Sequence, residues 1–270
     1  MKTGIIITVY NRTSALAACL RALAAAPAGI DEIIVSDDGS DEDQVRAMHQ
    51  LFDELPLPIK YTRQEHDGFR LAAARNNALR AATADYIISI DCDILLLPDT
   101  VARHRRLARR GRFLAGNRAM LDQNVSAKIL RTDFAPDDLE DAWRLADRQH
   151  LGRAHRAFRR NLLLRRLRLA RRHKPKILGC HFSLFREDIE KVNGFDENFV
   201  GWGMEDDDFA LRLHQAGLDA KSVILTARAM HLWHPATASK PAALRDTPNA
   251  DYFHRAHVDT RCRKGLLDSD

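Results

Sequence analysis

Three short stretches carry side chains that could hold a cation or move a proton. In Asp91-Cys92-Asp93 two carboxylates lie two residues apart, so in extended chain they point to one side and can face a single ion. Paired oxygens of this kind suit Mg2+ or Mn2+. In "MHLWHP" (230–235), His231 and His234 lie near the end of an apolar run, where imidazole would favour Mn2+ over Mg2+. The third stretch, "GWGMEDDDF" (201–209), sets Glu205, Asp206, Asp207 and Asp208 in a row after Trp202. Acids in the first turn of a helix gain about 0.3–1 kcal/mol each from its dipole. That accounts for one or two of them; four together repel, and crowding raises at least one pKa, as a general base requires.

"VSDDGS" (35–40) reads as a turn at Gly39 and a helix cap at Ser40, which leaves Asp38 unexplained. Its carboxylate could accept the imide N–H of a uracil. Arg70, Arg75 and Asn76 fall in the first half of the next helix, and Arg70 is a candidate partner for phosphate or base. Neither G-x-G-x-x-G nor G-x-x-x-x-G-K-[ST] occurs, which disfavours a dinucleotide fold or a P-loop.

These groups need elements to position them. Strand-like runs at 4–10, 32–38, 59–64 and 85–91 alternate with helical stretches at 14–26, 41–55 and 70–82, and Pro98 suits the first turn of a helix reaching Gly111. Such alternation predicts βαβ units, an α/β class with a mostly parallel sheet flanked by helices, and ligands at the carboxyl ends of its strands. Further expectations are a strand ending at Phe185, a short helix, a helix from the acids to about Gln215, and one strand-like run over 221–233. Beyond Pro235 the tail reads as irregular. From Arg148 to Arg186 there is no acid, and 153–174 is an Arg-rich amphipathic helix on the spacing of Phe158, Leu162 and Leu169 and of Leu163, Leu167 and Ala170.

The 270 residues are 45% hydrophobic and carry a net charge of +5, as in an ordinary globular protein with a mild preference for anions. Cys19, Cys92, Cys180 and Cys262 have no C-x-x-C spacing, which points to reduced thiols. The N-terminal apolar run is too short for a signal-peptide core, and no stretch approaches a membrane span. The expected location is the cytoplasm, with room for peripheral contact at the inner face of the membrane.

Together "TVYNR", "DDGS", "DCD" and "GFDENFVGWGMEDDDFALRL" (194–213) resemble the family 2 and related inverting glycosyltransferases of the GT-A fold. The last segment is similar to the acceptor-side region of β-1,4-galactosyltransferases, polypeptide N-acetylgalactosaminyltransferases and bacterial chondroitin polymerase. The resemblance covers most of 4–115 and 177–235; the Arg-rich middle and the tail lie outside it. It implies that Thr8, Tyr10, Arg12 and Asp38 hold the uridine. Asp91 would approach the ribose and the metal, Asp93 would ligate Mn2+ (or Mg2+), and His231 would be the metal-binding histidine ahead of His234. Asp206 would be the general base, with Trp202, Glu205 and Asp207 on the acceptor and sugar side.

The reaction implied is metal-dependent, inverting transfer of a hexose or N-acetylhexosamine of galactose type from a UDP-sugar to a saccharide or lipid-linked acceptor, in bacterial surface polysaccharide or glycoconjugate synthesis. One domain over 1–240 is expected: a nucleotide-binding half (1–115), a helical basic insertion (116–174) and an acceptor half (175–240), followed by a tail (241–270). The competing reading is a non-catalytic binder of nucleic acid or anionic membrane acting through 153–174. Aromatic interleaving is thin there, with Phe158 alone, so no specific nucleic-acid partner is expected. A glycoside hydrolase would need neither metal nor uridine pocket. A nucleotidyltransferase would carry a Gly-rich basic loop where this chain has "NRTSA".

Overall fold

The computed structural model describes residues 1–25, 28–131, 135–169, 177–235, 243 and 247–267. The β-branched run Thr3–Val9 forms β1 and is buried throughout, as a strand covered on both faces must be. β2 (Glu32–Asp37) and β4 (Tyr86–Asp91) flank it, β3 (Ile59–Arg63) lies outside β2, and all four are parallel. β8 (His181–Phe185) runs antiparallel between β4 and β6 (Arg112–Ala115), and β9 (Asp219–Ser222) pairs parallel with β6 at the far edge. The order β3-β2-β1-β4-β8-β6-β9 makes a seven-stranded sheet with one reversed strand.

Helices cover it with the apolar stripes their spacing provides. α1 (Thr13–Ala24) buries Leu16, Leu20 and Leu23, and α2 (Glu42–Glu54) buries Val45, Met48 and Leu51. α3 (Leu71–Ala81), α4 (Thr100–Leu107) and α8 (Arg186–Lys191) complete the layers near β1, β6 and β8. α9 (Glu205–Gln215) is locked to β8 by the rings of Phe182, Phe195 and Phe209, with Phe195 and Phe209 stacked at 4.3 Å. Full burial of such a ring contributes about 1.5–3 kcal/mol. Between β6 and β8 the chain adds β7 (Ala119–Met120), α5 (Gln123–Arg131), α6 (Pro136–Leu145) and α7 (Gln149–Arg166). Among the described residues no helix is long and apolar enough to cross a membrane.

Register positions the polar strand ends. Thr8 lies opposite Ser36 of β2 and Asp91 of β4, so three carboxyl ends meet at one edge. A second sheet, ordered β5 (Ile94–Leu96), β10 (Ala229–His231) and β7, sits beside that edge.

Several local expectations need correction. The run 221–233 is two strands in two sheets. A turn at 223–228 interrupts it, with Ala227 N–H donating to the Val223 carbonyl and Leu225 exposed, so its apolar composition conceals a reversal. Ser40 does not cap α2: its hydroxyl donates to Asp37 Oδ1 at 2.6 Å and accepts the Asn11 N–H at 2.8 Å, leaving Asp41 at the N-cap position. α4 starts at Thr100, beyond Pro98, because Leu97 is still bonded to the Arg228 carbonyl as an extension of β5. The basic helix starts earlier than expected and ends at Arg166; positions 170–174 fall outside the described residues. The tail is not wholly irregular, since α10 (Pro248–Phe253) forms with Thr247 as its cap. Val258, Cys262 and Leu266 are buried beyond it.

Candidate active site

At the end of β1, Thr8 Oγ1 donates to Asp91 Oδ1 at 3.4 Å. Tyr10 stacks on His66, ring centroids 4.5 Å apart and planes 8° apart. Asp38 is buried behind them and accepts the Gln64 amide and the Arg70 backbone N–H (3.1 Å). Burial pushes its carboxyl up, more than these donors pull it down. Gly39 has φ +81°, and a Cβ there would sit 2.4 Å from the His66 nitrogen, so this turn accepts only glycine. Tyr10, Asp38, Gln64, His66 and Arg70 thus form one wall.

Asp93 forms the next group. Arg12 donates to its Oδ2 at 2.9 Å, and His231 Nε2 and His234 Nε2 stand 3.5 and 3.4 Å from the same oxygen. β10 delivers His231 because it pairs with β5, opposite Ile94, and Leu232 N–H donates to the Asp93 carbonyl. Burial would raise the Asp93 carboxyl, but the hydrogen bond from His234 and the charges of His231 and Arg12 hold it below the usual range. Burial lowers the His231 imidazole, whereas the bond to Asp93 raises His234. One carboxylate oxygen and two imidazole nitrogens lie within 4.8 Å of one another. His231 Nδ1 is buried with no hydrogen-bond partner among the described residues. This donor set fits a divalent cation and suits Mn2+ better than Mg2+. Asp91 points elsewhere, accepting Arg75 Nη2 at 3.2 Å.

The acidic motif closes the site. Gly201 (φ 86°), Gly203 (φ 92°) and Met204 (φ 72°) turn the chain through left-handed geometry into α9. Gly201 N–H donates to the Phe69 carbonyl at 2.8 Å, tying this loop to the wall around Asp38. Each acid has its own surroundings. Glu205 is buried and accepts Arg75 Nη1 at 2.9 Å; burial and neighbouring Asp206 push its carboxyl up to about 7 despite Arg75. Asp208 is fully buried between Arg212 (2.6 Å) and Arg255 (3.0 Å). Asp207 is buried in the first turn. Asp206 remains partly exposed, with Oδ2 accepting Gly179 N–H at 3.0 Å and Oδ1 accepting Asp207 N–H at 2.8 Å. Trp202 is half-buried on the same loop.

Nothing in local residue type or spacing gives Gln64, His66, Gly179 or Arg255 a role. Arg75 did carry a signal: it shares a helix whose inward residues are Ala72, Ala78 and Leu79, where a charge must find partners. Gly179 packs against it, and a Cβ there would lie 2.4 Å from Arg75 Nη2.

Residues 4–192 match the profile of Glycosyl transferase family 2, and residues 167–235 that of the N-terminal domain of galactosyltransferase. The chain is 30% identical to the chondroitin synthase of Escherichia coli over 82% of its own length, and spans 33% of that protein. Its structure is similar to the mannosyltransferase PcManGT of Pyrobaculum calidifontis in complex with GDP-Man and Mn2+. There the TM-score is 0.60 at 19% identity, covering 88% of this chain and 58% of the other. It is also similar to S. aureus TarS 1-349 in complex with UDP-GlcNAc, with a TM-score of 0.58 at 15% identity over 88% and 60% of the two chains. These likenesses weigh against a non-catalytic binder and place the sheet in the GT-A fold. The chain belongs to glycosyl transferase family 2.

Proposed function

We propose that this chain transfers a hexose or N-acetylhexosamine of galactose type from a UDP-sugar to a saccharide or lipid-linked acceptor hydroxyl, in one displacement that inverts the anomeric carbon. The observation that carries this reading is Arg75, which ion-pairs Asp91 at 3.2 Å and Glu205 at 2.9 Å. It thereby joins the strand ends beside Asp93 to the acids that head α9. Residues 1–115 are then the nucleotide half, 116–174 an insertion and 175–240 the acceptor half.

Asp38, Tyr10 and Thr8 suit a uridine, and the UDP-GlcNAc complex of TarS supports that donor class. Asp93, His231 and His234 would hold a divalent cation, which supplies positive charge beside the departing diphosphate. Arg12 and Arg70 add fixed positive charge along the donor. Asp206 takes the proton of the acceptor hydroxyl as the hydroxyl attacks, being the partly exposed acid of the row, while Glu205 is held by Arg75. Trp202 and Asp207 border the acceptor.

Thermal unfolding with UDP, with and without Mn2+, tests the reading. UDP at about 100 times its Kd should stabilise the fold by roughly 2.7 kcal/mol, only with Mn2+, and not in Asp93→Ala. No response to UDP under either condition would sink it.

A further inference from the structure

α7 is attached to the molecule by one face. Leu151 and Phe158 are buried and Leu162 packs partly against the core. His155 Nδ1 meets Ser222 Oγ at 2.8 Å and Arg166 Nη2 reaches Asp219 Oδ1 at 2.8 Å, so the helix lies along the edge strand β9. The opposite face packs against nothing among the described residues. Five and nine positions after Phe158, at about 100° per residue, Leu163 and Leu167 fall on the far side of the helix. They are 57% and 58% exposed. Arg153, Arg156, Arg159 and Arg160 are exposed around them. At the helix end Leu169 N–H donates to the Leu164 carbonyl, and Arg168 holds the left-handed position (φ 58°) that glycine usually takes. This turn leaves Leu169 70% exposed.

A solvated charge run has no need of leucines at its centre. Single exposed leucines are ordinary, but three at one helix end, ringed by arginine in a stretch without an acid from 148 to 186, have the composition of an interfacial helix. We infer that this face of α7 docks on an anionic lipid bilayer, its leucines entering the boundary between head groups and acyl chains and its arginines meeting lipid phosphates. Nucleic acid fits less well, because the face presents no aromatic ring for stacking and Phe158 is buried. α7 also begins beside the candidate active site: His150 Nε2 lies 3.0 Å from the Arg118 carbonyl, next to β7, which pairs with the strand of His231. A bilayer under α7 would therefore have the cleft at one end of the docked helix. The inference stands apart from the transferase reading, since docking is measured without donor or acceptor.

The test mixes the full chain with vesicles of phosphatidylcholine, alone or with about one third phosphatidylglycerol, and reads bound protein by co-sedimentation. Binding is expected for the anionic vesicles only, and should weaken with salt. Leu163→Ser/Leu167→Ser should lower partitioning at least about tenfold, and Arg156→Ser/Arg160→Ser should do the same. Neither should move the unfolding midpoint, because all four side chains are exposed. No binding to anionic vesicles, binding that the leucine double variant leaves intact, or tight binding of an RNA oligomer that outcompetes the vesicles would overturn the inference.

Discussion

Four adjacent acids meet four different environments, and their chemistry divides accordingly. Asp208 is structural, locked between two arginines; Glu205 is tied to Arg75; Asp206 keeps access to solvent. Asp206→Asn is expected to lower kcat by about 10²–10⁴ while leaving UDP-dependent stabilisation intact, because a general base contributes about that much. Loss of UDP binding in this variant would place Asp206 at the donor instead. Arg75 should matter to stability as well. Arg75→Met leaves Glu205 and Asp91 without their buried counter-charge and should cost about 3–5 kcal/mol, read by urea denaturation. Arg75→Lys should not restore activity, since one ammonium cannot hold both carboxylates in the geometry of a planar fork.

At the scale of elements, β4, β8 and α4 are stitched by a buried polar chain. The Asn117 carbonyl lies 2.8 Å from His181 Nδ1, which fixes the proton there and makes Nε2 an acceptor. His104 Nε2 then donates across 2.9 Å, its Nδ1 accepts from Ser183 Oγ at 2.6 Å, and Ser183 accepts from Tyr86 at 2.6 Å. Both rings must be neutral for this arrangement. Burial lowers His181 from 6.5 to about 4 and His104 well below its ordinary value. Between those values the unfolded chain binds more protons than the folded one, so stability rises with pH and is lost as pH falls from about 6.5 toward 4. His181 alone would contribute about 3 kcal/mol to that loss. Urea unfolding at pH 7 and pH 4.5 checks it, and His181→Gln should flatten the difference.

For the whole molecule, the C-terminal segment braces the site from behind. Asn249 Nδ2 donates to the Gly203 carbonyl at 2.9 Å, Arg255 reaches Asp208, and Phe253 packs with Phe199 and Leu211. Further on, Leu266 N–H donates to the Asn193 carbonyl and Arg80 to the Leu266 carbonyl. Phe253→Ala should cost about 3–5 kcal/mol. It should also raise KM for the acceptor more than it weakens UDP binding, because the loop it supports carries Trp202 rather than the wall around Asp38. Equal changes in both would show that the tail supports the entire cleft.

Period and punctuation in the sequence were enough for the alternating strands and helices of the first third, because buried parallel strands and amphipathic helices are set by local composition. Likewise, Asp91, Asp93, His231, His234 and the row Glu205 to Asp208 stand out by residue type and spacing, whereas Asp206 is distinguished within that row only by the resemblance. What lay beyond local pattern needed the fold. The run 221–233 looked uniform, yet the choice of a turn at 223–228 depends on which partner strands, β6 and β5, are waiting on either side. That choice brings both His231 and His234 to Asp93. The tail looks irregular because its buried residues are few and scattered, and it is ordered by contacts with distant positions such as Gly203, Asp208 and Asn193. Arg75 was one arginine among many until the fold set it between Asp91 and Glu205. Pairings across 16 and 130 residues have no signature in local sequence, and electrostatics acts on distance in space.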